Sequence, residues 1–260
     1  MSGQITLLTD FGIDDYFVGA VKGSILSINP AATIVDITHE IPAHDIESAA
    51  FTLLACYRAF AAGTVHVAVV DPGVGSTRRA ILATAGEYLF VGPDNGIFSY
   101  ILDREVSPRV IHITSTDYFR QPVSNTFHGR DVFAPIAAAV SMGVAPGSLG
   151  PQIDDPVRLS SFKPERLKNG KVRGRVIHVD QFGNCVTNFD SSFMGGPGTA
   201  ILHLKGKKIK DLRESYAEGK GKKPFAIWGS AGLLEISVGN GSAAEELGAT
   251  RGDEVTLLTS

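Results

Sequence analysis

Hydrophobic and polar positions along the first 150 or so residues alternate between two periods. QITLLTD (4–10), TIVDIT (33–38) and TVHVAVVD (64–71) are short, apolar and rich in β-branched residues, which predicts strands. AILATA (80–85), YLFVG (88–92) and RVIHIT (109–114) predict three more. Between them, Tyr16 to Leu26 and Asp45 to Phe60 predict helices. In the second, Ile46, Ala49, Ala50, Leu53, Leu54 and Tyr57 recur at helical spacing, and the Asp45 carboxylate can accept an orphan backbone N–H as an N-cap. Asp131 to Met142 predicts a third helix, with Pro135 near its first turn, where a missing N–H costs least. Such alternation implies a mostly parallel sheet covered by helices.

The pattern then changes. VAPGSLGPQIDDPVRL (144–159) is rich in proline and glycine, and no long helical period follows it. From Lys171 onward, GRVIHVD, CVTNF, TAILHL, PFAIW, LLEISV and EVTLLT are short apolar runs separated by turn residues, the signature of a small all-β sandwich or barrel. The expected fold is α/β: an amino-terminal α/β domain with a mostly parallel sheet (1–158), a boundary near 150 to 168, and a small β-barrel domain (168–260). The lysine-rich GKGKKP (219–224) has no interleaved aromatics and is expected to be a solvated hairpin loop.

Composition narrows the partners. With 24 basic and 27 acidic residues among 260, the formal charge of -3 gives no global field for a nucleic-acid backbone or an anionic membrane. A small neutral or zwitterionic ligand fits better. The two cysteines, and the lack of a signal region or a long apolar run, predict a soluble cytoplasmic protein with reduced thiols.

Candidate chemistry collects where strands end, as binding groups do in α/β folds. VVDPGVGSTRRA (69–80) delivers Asp71 from a strand into a loop bent by proline and glycine that carries Arg78. The first strand ends at Asp10, whose carboxylate, an acceptor only, suits a vicinal diol. The acidic pair Asp14 and Asp15 is expected to cap the following helix. A calcium site of the DxDxGxDD kind needs an acid two residues before Asp10, where this chain has Leu8, so no metal is expected. In NTFHGRDVFAP (125–135), His128 sits in a polar loop, with an ordinary pKa near 6.5 suited to taking a proton from water. Arg130 and Asp131 are expected to pair and cap the helix. His66, His112, His178 and His203 lie in strand patterns and are expected to be structural, whereas His39 and His44 stay open. In VDQFGNCVTN (179–188), Asp180, Phe182 and Asn184 surround a Gly183 turn. That segment is either a plain hairpin or a site where Phe182 stacks on a base and Asn184 reads an adenine edge. WGSAGLLEISVGNGSAA (228–244) adds Ser230 and Glu235 beside glycines that allow a ligand close to the backbone.

Taken in order, TDFG (9–12), DITHEIPAHD (36–45), VVDPGVGS (69–76), GPDNG (92–96), FHGRD (127–131), VDQFGN (179–184) and GSAGLLEISV (229–238) resemble the S-adenosyl-L-methionine hydrolases, or SAM hydroxide adenosyltransferases, relatives of fluorinase and chlorinase. The resemblance implies attack of water at C5′ of S-adenosyl-L-methionine, giving adenosine and L-methionine with no cofactor. It also implies a homotrimer with substrate between one subunit's first domain and its neighbour's second. Carried over by motif, Asp71, Arg78 and His128 form the water-activating set, with His128 the proton acceptor and Arg79 ranked behind Arg78. Asp10 takes the ribose diol, Asn184 and Phe182 the base, Val238 the adenine pocket, and Asp180, Ser230 and Glu235 the methionine end. The chain departs from the family pattern at Gly229 and Gly239, where asparagine is frequent. Two alternatives accompany this reading: a chlorinase-like halide transferase, disfavoured by His128 and by an acid at Asp71 that would repel an anion, and a non-catalytic adenosyl-ligand sensor, disfavoured by the complete Asp71, Arg78 and His128 set.

Overall fold

The computed structural model describes residues 3–159, 163–168, 170–193 and 200–259. Residues 160–162 of the expected boundary stretch, and Thr199 at the head of the expected strand TAILHL, lie outside the described residues. The chain divides into two compact units, Met1–Ser160 and Ser161–Ser260.

The first unit runs β1 (Gln4–Thr9), α1 (Phe17–Ile28), β2 (Thr33–Thr38), α2 (Ile46–Cys56), β3 (Val65–Val69), β4 (Ala80–Ala85), β5 (Tyr88–Pro93), α3 (Ser99–Arg104), β6 (Arg109–His112), α4 (Ala134–Ser141) and β7 (Gln152–Ile153). Its seven strands lie in the order β2-β1-β3-β5-β4-β6-β7. The pairs β2-β1, β1-β3 and β3-β5 are parallel, and β4, β6 and β7 extend the sheet with antiparallel pairs. The sheet is therefore mixed, with its parallel part at the β1 and β3 exits. Ile5, Leu7, Val67, Leu82 and Val91 of the strands bury against Val21 and Ile25 of α1 and Ile136 and Val140 of α4. Fully burying one such side chain stabilises by about 1.5–3 kcal/mol, so this core fixes where the strands end.

Two helix starts depart from expectation. Asp45 caps α2 as expected, accepting Ser48 N–H at 3.0 Å. Asp14 and Asp15 do not cap α1: its N-cap is Tyr16, without a side-chain bond, and both acids are exposed. Packing decides that start, because Phe17 sets its ring 5.2 Å from Phe127 and 5.9 Å from Phe11 and pulls the first turn onto them. The expected helix at Asp131 begins two residues earlier, as a π-turn over Gly129–Phe133 that leads into α4. Asp131 lies inside that turn and is no cap. Its buried carboxylate instead pairs with Arg130 Nε at 2.7 Å and accepts Ser124 N–H at 2.9 Å.

The second unit holds β8 (Glu165–Arg166), β9 (Lys171–Val179), β10 (Cys185–Asp190), β11 (Ala200–Leu204), β12 (Lys207–Ile209), β13 (Leu212–Arg213), β14 (Phe225–Trp228), β15 (Leu233–Ser237), α5 (Ala243–Leu247) and β16 (Glu254–Thr259). The strands follow the path β12-β11-β16-β9-β10-β15-β14-β13, with β8 on β9, and curl into a β half-barrel around Val176, Phe189, Leu202, Leu234 and Leu257. The segment GKGKKP is not a hairpin. It leads into β14 from β13, and those two strands pair in parallel, so residues 214–224 form a crossover. Cys56 and Cys185 are free thiols, each pushed up to about 11, chiefly by burial.

Candidate active site

In the parallel part of the first sheet, Thr9 pairs with Val69, so β1 and β3 end side by side. Asp10 and Asp71 therefore leave the sheet on the same edge, beyond the carboxyl ends of adjacent strands. Both line a cavity of about 300 Å³ together with Phe11, Phe17, His44, Phe127 and His128. One Asp10 oxygen, Oδ2, accepts the His44 backbone N–H at 2.9 Å. No hydrogen bond to its other oxygen is seen among the described residues, which leaves that atom free for a hydroxyl.

The loop after Asp71 folds back so that Arg78 meets it. Arg78 Nε lies 2.9 Å from each Asp71 oxygen, and Nη2 also reaches Oδ2. The Arg78 side chain is 10% exposed and that of Asp71 4%, so this pair is largely shielded from water and screened less than a surface pair. The guanidinium also stands 5.1 Å from the centre of the Phe133 ring. Gly75 makes the arrangement possible: at φ +77°, a Cβ there would stand 2.2 Å from the Asn125 carbonyl oxygen. The loop thus rests against the backbone of the segment that carries His128.

Arg78 Nη2 lies 2.8 Å from His128 Nδ1. A guanidinium only donates, so Nδ1 accepts and the proton of the neutral ring sits on Nε2. Burial first, and then the Arg78 charge, hold the His128 pKa below its ordinary value, against the opposite pull of Asp71 and Asp131. His128 is accordingly an uncharged acceptor with Arg78 on its lone pair. A water that displaced this bond, with the two side chains parting to admit it, would meet a donor on one side and an acceptor on the other.

Arg79 points elsewhere. Its Nε donates to Asp94 Oδ2 at 2.7 Å, and its Nη1 and Nη2 reach Asp155 Oδ1 and O at 2.8 and 2.7 Å. Those bonds strap the 155–157 segment to the β5 end.

The remaining candidates belong to the second unit. Asp180 is occupied within the β9-β10 hairpin: Oδ1 accepts Phe182 and Asn184 N–H at 2.9 and 2.8 Å, and Oδ2 accepts Asn184 Nδ2 at 2.8 Å. β9 and β10 pair antiparallel around this turn, as the hairpin reading expects, and Phe182 is 68% exposed. Glu235 is buried on β15 and accepts the Tyr216 hydroxyl at 2.7 Å. Burial raises its pKa, and the Asp180 charge adds to the rise, so a cationic group would be welcome beside this acidic pair. Glu235 fills the space beside Gly229: a Cβ there would stand 1.7 Å from Glu235 Oε1, so a larger residue would displace that carboxylate. Gly239 is required, its Cβ position lying 2.5 Å from the Gly219 carbonyl oxygen. Ser230 is exposed, and Val238 is buried and bridged to Gly241. Tyr216 was invisible to sequence reasoning, because no motif or period surrounds it. Among the described residues, no group of three or more His, Cys, Asp or Glu is placed to hold a metal ion.

Residues 5–150 match the SAM hydroxide adenosyltransferase N-terminal domain and residues 174–256 the C-terminal domain. The chain belongs to the SAM hydroxide adenosyltransferase family. It is 38% identical to the (R)-S-adenosyl-L-methionine hydrolase of Thermus thermophilus, over 98% of this chain and 99% of that protein. A fluorinase from Nocardia brasiliensis is more distant, at 27% identity over 71% of this chain and 70% of its own. Among solved structures, an uncharacterized conserved protein from Thermotoga maritima superposes with a TM-score of 0.88 at 33% identity, covering 98% of this chain and 99% of its own. Within this SAM hydroxide adenosyltransferase fold, Asp10, Asp71 and His128 share one cavity, with Arg78 bonded to the last two.

Proposed function

We propose that this chain hydrolyses S-adenosyl-L-methionine, placing a water oxygen on C5′ and releasing adenosine, L-methionine and a proton. The observation that carries the proposal is the facing pair Arg78 Nη2 and His128 Nδ1, 2.8 Å apart, beside the cavity that Asp10 and Asp71 line. The sulfonium leaves as a neutral thioether, so no general acid is needed, and alignment and activation of the water carry the catalysis. Water enters by displacing the bond between Arg78 Nη2 and His128 Nδ1, the two side chains parting to admit it and so freeing the Nδ1 lone pair. Arg78 donates to its oxygen and stabilises developing hydroxide, and His128 Nδ1 accepts its proton as the C5′–O bond forms and the C5′–S bond breaks. Asp71 holds Arg78 in line.

Asp10 accepts the ribose hydroxyls through its free oxygen. In the second unit, Phe182 stacks on adenine, Asn184 and Val238 meet its edge, and Glu235 with Asp180 and Ser230 takes the methionine ammonium and carboxylate. No cofactor takes part. A homotrimer with its sites at subunit interfaces, working in the cytoplasm, completes the reading, and two free thiols suit a reducing compartment. Halide transfer is disfavoured because a halide brings no proton for the uncharged His128 to accept, and the Arg78 charge that would hold an anion is already paired with Asp71.

The relatives' name specifies the R form at sulfur, so the purified chain should be given each sulfonium epimer separately. Equimolar adenosine and methionine from either epimer supports the proposal. Methylthioadenosine instead, or no product from both, contradicts it.

A further inference from the structure

The GPDNG turn (92–96) lies outside the lining of the cavity, yet it bonds to a chain neighbour of Asp71 and to one of Arg78. Asn95 Nδ2 donates to the carbonyl oxygen of Val70, immediately before Asp71, at 2.8 Å. Asp94 holds Arg79, immediately after Arg78, in two ways: its carboxylate accepts Arg79 Nε at 2.7 Å, and its backbone N–H donates to Arg79 O at 3.0 Å. That same Arg79 carbonyl faces Arg78 Nη1 at 3.4 Å. The turn is itself stiff. Asn95 Oδ1 accepts Ile97 N–H at 3.2 Å, Ser99 Oγ donates to Gly96 O at 2.6 Å, and Asp94 Oδ1 accepts Val157 N–H at 2.8 Å. Gly92 lets it lie this close to β3, for a Cβ there would stand 2.4 Å from Ala68 O.

We propose that Asp94 and Asn95 are positioning residues for hydrolysis, clamping both ends of the 71–78 loop so that the Asp71 and Arg78 pair stays in register with His128. The inference rests on the reading that these three groups act on water. Asp71 and Arg78 are bound bidentately and move together, so their distance from His128 is set by their loop, at its two ends and where Gly75 rests on Asn125, rather than by each other. Both ends are held by one turn. Slack of about 1 Å at a reacting group can cost about 100-fold in rate, whereas the ribose contact at Asp10 hangs on β1 and is untouched.

The test compares Asp94→Ala and Asn95→Ala with the full-length wild type and repeats each in an Arg78→Ala background. The expected result is a kcat lower by about 10- to 100-fold with KM changed less than about threefold, and little further loss where Arg78 is already absent. Asp94→Asn, which keeps one acceptor oxygen and turns the other into a donor, should fall between. A second readout needs no turnover: the His128 ring, followed by NMR, should titrate at higher pH in Asp94→Ala, because Arg78 no longer sits on Nδ1 to oppose its protonation, while Asp71 and Asp131 still favour it. Wild-type kcat in both variants, an equal fold-loss with and without Arg78, or an unmoved His128 titration overturns the brace. An inactive wild type with a shifted His128 titration overturns the hydrolase reading and leaves the brace standing. Should Asp94→Ala fail to fold, Asn95→Ala decides by the same criteria.

Discussion

Replacing Gly75 by alanine should slow hydrolysis without weakening substrate binding. At φ +77° an L side chain is strained by about 1–2 kcal/mol, and the added Cβ would stand 2.2 Å from Asn125 O, where ordinary contact begins near 3.4 Å. The obstacle is a backbone carbonyl, which cannot swing aside as a side chain would, so the 71–78 loop and the 125–128 segment must part by about 1 Å or more. Arg78 Nη2 and His128 Nδ1, now 2.8 Å apart, then lose the register in which both can reach one water. By the cost of misplacing a reacting group, kcat should fall by about 100-fold, with adenosine affinity within about threefold of wild type. Gly75→Asn tolerates positive φ better but carries the same Cβ, and should be about as slow. Single-turnover adenosine formation and calorimetric adenosine binding measure the two quantities. A wild-type rate, or an affinity loss matching the rate loss, would refute the placement of this loop.

His128→Ala should lose at least about 100-fold in kcat while keeping adenosine affinity, measured by the same pair of assays, and an unchanged rate would remove His128 from the reaction. Because burial and Arg78 hold the His128 pKa low, the wild-type rate should persist as pH drops through 6.5, with its acid limb below that value. A limb above it would contradict the Arg78 contact. For Asp10→Ala the expected defect is about tenfold in affinity for adenosine, the worth of a charge-assisted bond, with no matching defect for 2′,3′-dideoxyadenosine. His66 is buried and neutral, with burial lowering its pKa to about 4. The unfolded chain therefore binds a proton below about 6.5 that the folded chain refuses until near 4, so stability should fall by about 2 kcal/mol between pH 7.5 and pH 5. Urea unfolding of His66→Asn should lack that part of the slope, and an identical slope in both proteins would count against a neutral His66.

The sequence made legible what depends on local pattern. Apolar runs located β1 and β3, and with them the exits that carry Asp10 and Asp71; Asp45 announced α2 because a cap is a local bond. Contacts made by distant residues stayed hidden. The acids at 14 and 15 read as caps until Phe17 packed on Phe127 and set the helix start. GKGKKP read as a hairpin because β13, two residues long, shows no period to mark a crossover. Asp180 and Asn184 bond each other within the hairpin, a use that spacing cannot tell from a ligand's. The work of Gly75, Asp94, Asn95 and Tyr216 depends on partners from 15 to 50 residues away, beyond any local pattern.

The central claim is that water, activated between Arg78 and His128, is the nucleophile. Incubating the protein with S-adenosyl-L-methionine in oxygen-18 water, with and without chloride, and weighing the nucleosides by mass spectrometry tests it directly. The account predicts adenosine carrying one oxygen-18 at C5′, in the same yield whether or not chloride is present; 5′-chloroadenosine, or intact substrate under both conditions, would contradict it.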